Sequence, residues 1–319
     1  MSYASHLKES YGLPVFDFPG PEDEGTTRLP EADAVAWRIS SDTYDSEEEW
    51  TEAFARFTAA VDTTRVRAIV VGAWEEAYES GPGRIIAALV DAGPRLPALR
   101  ALFLGDMESE ECEISWITQA DVGPLLDNFP ELEEFGVRGG SGLHFSTAAH
   151  SRLRSLTVET GGLPAGFVRS VAAADLPALE HLDLWLGTSE YGGDSALSDL
   201  APVLAGERLP SLRHLALRNS EIQDEIAAAV GSAPVVARLE TLDLSMGVLT
   251  DEGATALLGG QPLTHLTSLD LHHNYLSEPL RERFRDVLGT AGVSLDLDRG
   301  HADEDEWDGR VWRFVAVGE

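Results

Sequence analysis

A chain of 319 residues with a 43% hydrophobic fraction has the apolar material for a large core, which excludes wholesale disorder. Its 55 acidic residues against 23 basic ones give a formal net charge of −32, which disfavours nucleic acid and anionic membrane surfaces as partners. Cys112 is the one cysteine, so an internal disulfide and a multi-cysteine zinc site are both excluded.

In chain order, GLPVFDF (12–18) reads as a strand and PGPEDEGTTRLPEAD (19–33) as a mobile acidic link. Residues 1–33 are therefore expected to be an N-terminal capping segment and linker. The opening residues lack a basic stretch followed by an apolar one, and no apolar run reaches the ~18 residues of a membrane span. A cytoplasmic protein is the expectation. The first helix is expected over SEEEWTEAFARFTAAV (46–61). Ser46 and Glu49 form a capping-box pattern there, and Trp50, Phe54, Phe57 and Val61 fall along one face.

One frame then recurs. LPALRALFL (96–104), FPELEEFGV (129–137), LPALEHLDL (176–184), LPSLRHLAL (209–217), VARLETLDL (236–244) and LTHLTSLDL (263–271) all carry apolar residues at relative positions 1, 4, 7 and 9. Shorter or more divergent versions occur at AVAWRI (34–39), VRAIVV (66–71), LRSLTV (153–158) and VSLDL (293–297). The last apolar residues of these units are Ile39, Val71, Leu104, Val137, Val158, Leu184, Leu217, Leu244, Leu271 and Leu297, spaced 21 to 33 residues apart. Such periods mark a repeat architecture. Between the units, PGRIIAALVDAG (82–93), ALSDLAPVLAG (196–206), DEIAAAVGSA (224–233) and DEGATALLGG (251–260) have helical spacing and glycine near their ends. Each unit thus reads as strand, turn, helix and return. The 21-residue gap from Val137 to Val158 leaves only HFSTAAH (144–150), so a missing or very short helix and an irregularity near Gly139–Gly142 are expected there.

In LTSLDLHHNYLS (266–277), Leu266, Leu269, Leu271, Asn274 and Leu276 match the pattern LxxLxLxxNxL. With helices between strands, the chain resembles the leucine-rich-repeat family in its ribonuclease-inhibitor-like form. That resemblance implies an α/β solenoid, or horseshoe, with a parallel concave sheet, convex helices and about ten repeats over residues 34–298. A C-terminal cap over 299–319 would follow. The resemblance further implies a monomeric, non-catalytic scaffold for a protein or peptide partner, without cofactor or metal. The chain also looks like a group of actinobacterial leucine-rich-repeat proteins with relatives encoded beside radical-SAM and ATP-grasp enzymes. That likeness implies, as an alternative, an accessory or substrate-binding subunit of a peptide- or metabolite-modifying cassette. The sequence departs from the family at the turn asparagine. It is present at Asn274 but replaced elsewhere, as by Trp74, Met107, Gly187, Ser220 and Gly247.

Side chains alternate faces along a strand, so residues flanking the repeat leucines should form exposed columns on the concave face. These columns hold Phe103 near the N-terminal end. Towards the C-terminal end they hold Asp183, Trp185, His214, Arg218, Asp243, Asp270, His272 and Asp296. Exposed aromatic and charged groups on a rigid sheet suit a protein-binding surface. Asp243, Asp270 and His272 also raise the alternative of a metal-binding or hydrolytic site, for which a third convergent ligand and a pocket are required. His273 is expected at the turn beyond the strand. The acidic loop DLDRGHADEDEWDGR (296–310) departs from calcium-loop spacing and reads as solvated. RVWRFVAV (310–317) reads as a terminal strand, apolar on both faces and buried against the last repeat or nearby loops.

Overall fold

The recurring leucines can all be buried only if successive strands lie side by side in register with the helices on one side. That is the arrangement found in a computed structural model, which describes residues 4–23, 25, 27–44 and 48–318. The chain divides into two compact units, Met1–Glu159 and Thr160–Gly318.

In the first unit, β1 (Glu9–Ser10) turns back antiparallel onto β2 (Leu13–Asp17). From β2 the strands run parallel and in chain order: β3 (Ala36–Ile39), β4 (Ala68–Val71), β5 (Ala101–Leu104), β6 (Glu134–Arg138) and β7 (Ser155–Glu159). The intervening helices are α1 (Trp50–Ala60), α2 (Gly83–Ala92) and α3 (Gly123–Asn128). Helix α1 buries Trp50, Phe54 and Phe57 as its spacing predicts. Its N-terminal backbone group is satisfied one turn later than expected, with Glu49 N–H donating to Glu52 Oε2 at 3.1 Å. Ser46, the expected cap, lies outside the described residues, as do positions 24 and 26 of the acidic link. No helix joins β6 to β7, in keeping with the short spacing. Gly139 (φ 102°) makes the turn there. A Cβ on it would lie 2.7 Å from Ile117, so only glycine fits.

The second unit repeats the same grammar. It comprises α4 (Ala165–Ala173), β8 (His181–Gly187), α5 (Leu197–Ala205), β9 (His214–Ser220), α6 (Gln223–Val230), β10 (Thr241–Asp243), α7 (Asp251–Gly259), β11 (Ser268–Asp270), α8 (Glu278–Phe284) and β12 (Ser294–Asp296). Strands β8 to β12 are parallel neighbours in chain order. Leu182, Leu184, Leu215, Leu217, Leu242, Leu244, Leu269 and Leu271 are at most 1% exposed. Each contributes about 2 kcal/mol of apolar burial, which makes this ladder the main cohesive term of the unit. The register continues past the strands through a recurring left-handed residue, Asn219 (φ 56°), Met246 (φ 66°) and His273 (φ 51°). Their amides donate to the Ser245, His272 and Asp298 carbonyls of the next repeat.

The C-terminal segment differs from expectation. Residues 310–313 are not buried; they form β14 (Arg310–Arg313), paired antiparallel with β13 (Glu304–Trp307). Asp308 and Gly309, both at positive φ, supply the two-residue turn that fits the twist of a hairpin. The hairpin has no layer over either face, so Trp307, Val311, Trp312 and Phe314 are all at least half exposed. Beyond it the chain is fastened. Phe314 O accepts from Tyr275 Oη at 2.7 Å, Ala316 N–H donates to Met246 O at 2.8 Å, and Asn219 Nδ2 donates to Val317 O at 2.7 Å. Among the described residues, no helix is long and apolar enough to cross a membrane.

Asn274 is fully buried and satisfies its own turn. Its Nδ2 donates to Leu271 O (2.7 Å) and Leu297 O (3.3 Å), and its Oδ1 accepts the Leu276 amide at 3.1 Å. Asn274→Ala strips these buried backbone groups of partners and is expected to cost roughly 2–3 kcal/mol. Urea unfolding of the variant measures this, and a change below about 0.5 kcal/mol would contradict the role assigned to the side chain.

Candidate functional site

In the second unit the pairing sets Asp183 against Ala216, Ala216 against Asp243, Asp243 against Asp270, and Asp270 against Asp296. The flanking rows set Trp185 against Arg218 and His181 against His214. The candidate residues of this unit therefore share one face of the sheet, opposite the leucine core.

Their exposure is uneven. Trp185 and Asp183 are 3% and 6% exposed, which corrects the expectation that both are open to a partner. The Arg218 guanidinium covers them. It lies 5.0 Å from the centroid of a Trp185 ring, and it donates to both Asp183 oxygens, at 3.1 Å and 2.7 Å. Arg218 also approaches Asp243 Oδ2 at 3.3 Å. The half-buried side chains are then His214, Arg218, Asp243, Asp270 and His272, with Asp296 exposed. His214 Nδ1 is 2.7 Å from Thr241 Oγ1.

The three stacked aspartates each have a local task. Asp243, Asp270 and Asp296 accept the amides of Ser245, His272 and Asp298, each at 2.9 Å, and so finish their strands. Their charges are held differently. Burial pushes the Asp243 carboxyl above its usual range, and nearby Asp270 adds to this against the opposing pull of Arg218. Burial acts in the same direction on Asp270, but the His272 imidazole and amide outweigh it, so Asp270 titrates below the usual range. His272 Nδ1 lies 2.8 Å from Asp270 Oδ1, and this hydrogen bond raises the imidazole pKa against the effect of burial. The donor atoms of Asp270, His272 and Asp296 lie within 4.8 Å of one another. The third group beside Asp270 and His272 in this cluster is thus Asp296. His273 stands apart at the turn, 5% exposed, with Nε2 3.0 Å from Phe314 O. Burial keeps its pKa low, so it serves as a neutral anchor for the C-terminal segment.

Phe103, in the first unit, is 6% exposed and so is not the open aromatic expected from its column. Two features account for this. Gly136, directly opposite, leaves room for the ring: a Cβ there would come within 2.2 Å of it. The N-terminal residues then lie over the same face, with Leu7, Tyr11, Leu13 and Val15 packed on Ala36, Ala68, Val70, Ala101 and Phe103.

Beside that apolar patch is a charged cluster that sequence reasoning missed. Asp106 is fully buried; its Oδ2 accepts from Arg38 Nη1 at 2.9 Å, and its Oδ1 lies 3.5 Å from Arg138 Nη1. Arg138, 2% exposed, also donates to Glu159 Oε2 at 2.8 Å. A buried carboxylate between two guanidiniums is tolerable because each charge is paired; removal of one partner from such a set costs about 3–5 kcal/mol. Arg38 was within reach of the sequence, since the central column extends back to it through the pairs Arg38–Val70 and Asp17–Arg38. Asp106 carried no signal, as it lies past its strand.

A leucine-rich-repeat family model matches residues 208–231 and 239–258, the stretches around β9–α6 and β10–α7. A crystal structure of a Bacteroides fragilis protein is similar over 84% of this chain and 73% of that one, at 28% sequence identity and a TM-score of 0.75. No curated protein matches the chain.

The His272–Asp270 pair makes stability depend on pH. The raised His272 pKa contributes stability that is complete below the unfolded imidazole value of ~6.5 and is lost as pH rises through the folded value. The lowered Asp270 pKa contributes stability that is complete above the unfolded value of ~3.9 and is lost as pH falls through the folded value. Both contributions are therefore whole between about pH 4 and 6.5. Asp270→Asn is expected to lower the His272 titration midpoint, followed by NMR of the imidazole nitrogens. An unchanged midpoint would contradict the pairing.

Proposed function

Because this chain is a leucine-rich-repeat protein, we propose that it is a non-catalytic scaffold that binds a protein partner on the open sheet face of residues 181–298. The observation that carries this is the fixed row formed by Arg218, Asp243, Asp270, His272 and Asp296, partly accessible and already held by hydrogen bonds and ion pairs within the row. Side chains ordered before binding lose little freedom on contact, and pre-organisation of this kind favours recognition. His214 flanks the row. Trp185 and Asp183 support it from below by positioning Arg218. The row's three carboxylates, with Asp183 beneath Arg218, outnumber one guanidinium and one imidazole, so the complementary surface is basic.

The test compares wild type with the combined variant Asp243→Asn, Asp270→Asn, His272→Gln as immobilised baits in native lysate. Asparagine retains the oxygen that accepts each strand-end amide, so thermal unfolding should change little. At least one protein held by wild type is expected to drop tenfold or more with the variant. Identical retained sets from two equally folded baits would contradict the placement of the binding face.

A further inference from the structure

The N-terminal residues of the first unit are held in a way that differs from the rest of the chain. Residues 4–8 lie over the sheet, and the unit's side chains read their backbone. Arg138 Nη2 donates to Ser5 O at 2.9 Å, His6 N–H donates to Glu108 Oε1 at 3.0 Å, and Leu7 N–H donates to Asp106 Oδ1 at 3.0 Å. Farther along, Tyr11 N–H donates to Glu134 Oε2 at 3.2 Å. Side-chain recognition is added at two points. The His6 imidazole sits between Asp106 (3.5 Å) and Glu111 (3.2 Å), and Tyr11 Oη donates to Glu133 at 3.1 Å beneath the Arg67 guanidinium. Leu7 meanwhile packs on the apolar patch around Phe103. A backbone held by charged side chains, with one apolar anchor in a patch, is how a groove binds a peptide.

The segment does not fill its groove. A space of about 180 Å³ remains between Leu7, Glu9 and Ser10 on one side and Phe103, Gly136 and Thr157 on the other. Glu108 and Glu111 flank the His6 position, whereas Glu133 and Glu159 farther along are paired with Arg100 and Arg138. The resident segment answers at the Glu108 end with His6, whose imidazole approaches Glu111.

We propose that this face is a second peptide-binding site, separate from the row in residues 181–298, and that residues 4–11 are its tethered resident ligand. The external ligand is a segment of another polypeptide, with a leucine-sized side chain at the Leu7 position and a basic residue immediately before it. A tethered competitor acts at an effective concentration near the millimolar range, so the site is masked in the resting chain. It opens when the resident segment is displaced.

The test uses full-length protein and a fluorescein-labelled peptide of residues 4–11, followed by anisotropy. Leu7→Asp weakens the resident segment without altering the groove. This variant is expected to bind the peptide at least tenfold more tightly than wild type. A peptide with His6 replaced by glutamate should bind at least tenfold more weakly, and adding Glu108→Ala, which removes the acceptor of His6 N–H, to Leu7→Asp should weaken binding tenfold or more. Tyr11→Ala serves as the opening variant if Leu7→Asp does not fold. A folded opening variant that binds no peptide overturns the proposal, as does equal binding by wild type or by the charge-reversed peptide. Concentration-dependent doubling of the wild-type mass would assign the groove to a second copy and likewise overturn it. None of these outcomes bears on the Asp243, Asp270 and His272 variant, so the two sites stand or fall separately.

Discussion

Parallel strands pair so that each side chain stands beside its counterpart from the neighbouring repeat, about 4.8 Å away. On the helix side this stacks leucine on leucine and builds the core. On the opposite side it forces polar groups into contact whatever their sign, and the sequence responds position by position. Arg38 stands beside Asp17, Arg138 beside Glu159, and Arg218 beside Trp185. Where the row is Asp243, Asp270, Asp296, like charges meet directly, a destabilising arrangement in itself. Arg218 at one end and His272 in the middle offset it. Each aspartate also finishes its strand by accepting an amide, which gives the residue a reason to be there before any partner is considered.

The two units use their open faces differently. In the first, small strand residues (Ala36, Ala68, Ala101 and Gly136) leave room for the chain's own N-terminal segment to lie on Phe103 and its neighbours. In the second, long polar side chains brace one another. The C-terminal segment there runs past the ends of the strands, from Phe314 at Tyr275 to Val317 at Asn219. Terminal repeats of a solenoid need covering, because their last apolar surface has no neighbour. Here the N-terminal segment reaches beyond that task, since it contacts β5 and β6 as well as the first strands.

The sequence was most informative where the repeat is strict. The registers through Val70, Phe103, Gly136 and Thr157 and through Asp183, Ala216, Asp243, Asp270 and Asp296 follow from counting leucines. The helix missing before Val158 followed from one short spacing. Side-chain exposure was not legible, because it depends on what lies over the sheet. Phe103 is covered by residues 88 to 96 positions away, and Trp185 by an arginine of the next strand. The terminal strand was misplaced because its apolar alternation outweighed the Asp308–Gly309 pair, a strong hairpin signal between EDEW and RVWR. Cys112 repeats the lesson on a smaller scale. Its burial, visible only in the fold, raises the thiol pKa to about 11 and leaves it inert.

The central claim is that one sheet face is occupied by the chain's own N-terminal segment while the other presents an accessible polar row. Amide hydrogen exchange of the free, full-length protein addresses it most directly, through His6, Leu7 and Tyr11. Their N–H groups are donated to Glu108, Asp106 and Glu134. Slow exchange of all three, with Leu7 protected to a degree that approaches the β5 amides, is the predicted result. Exchange of Leu7 at the rate of an unstructured peptide would show the first face bare and contradict the division of labour between the two.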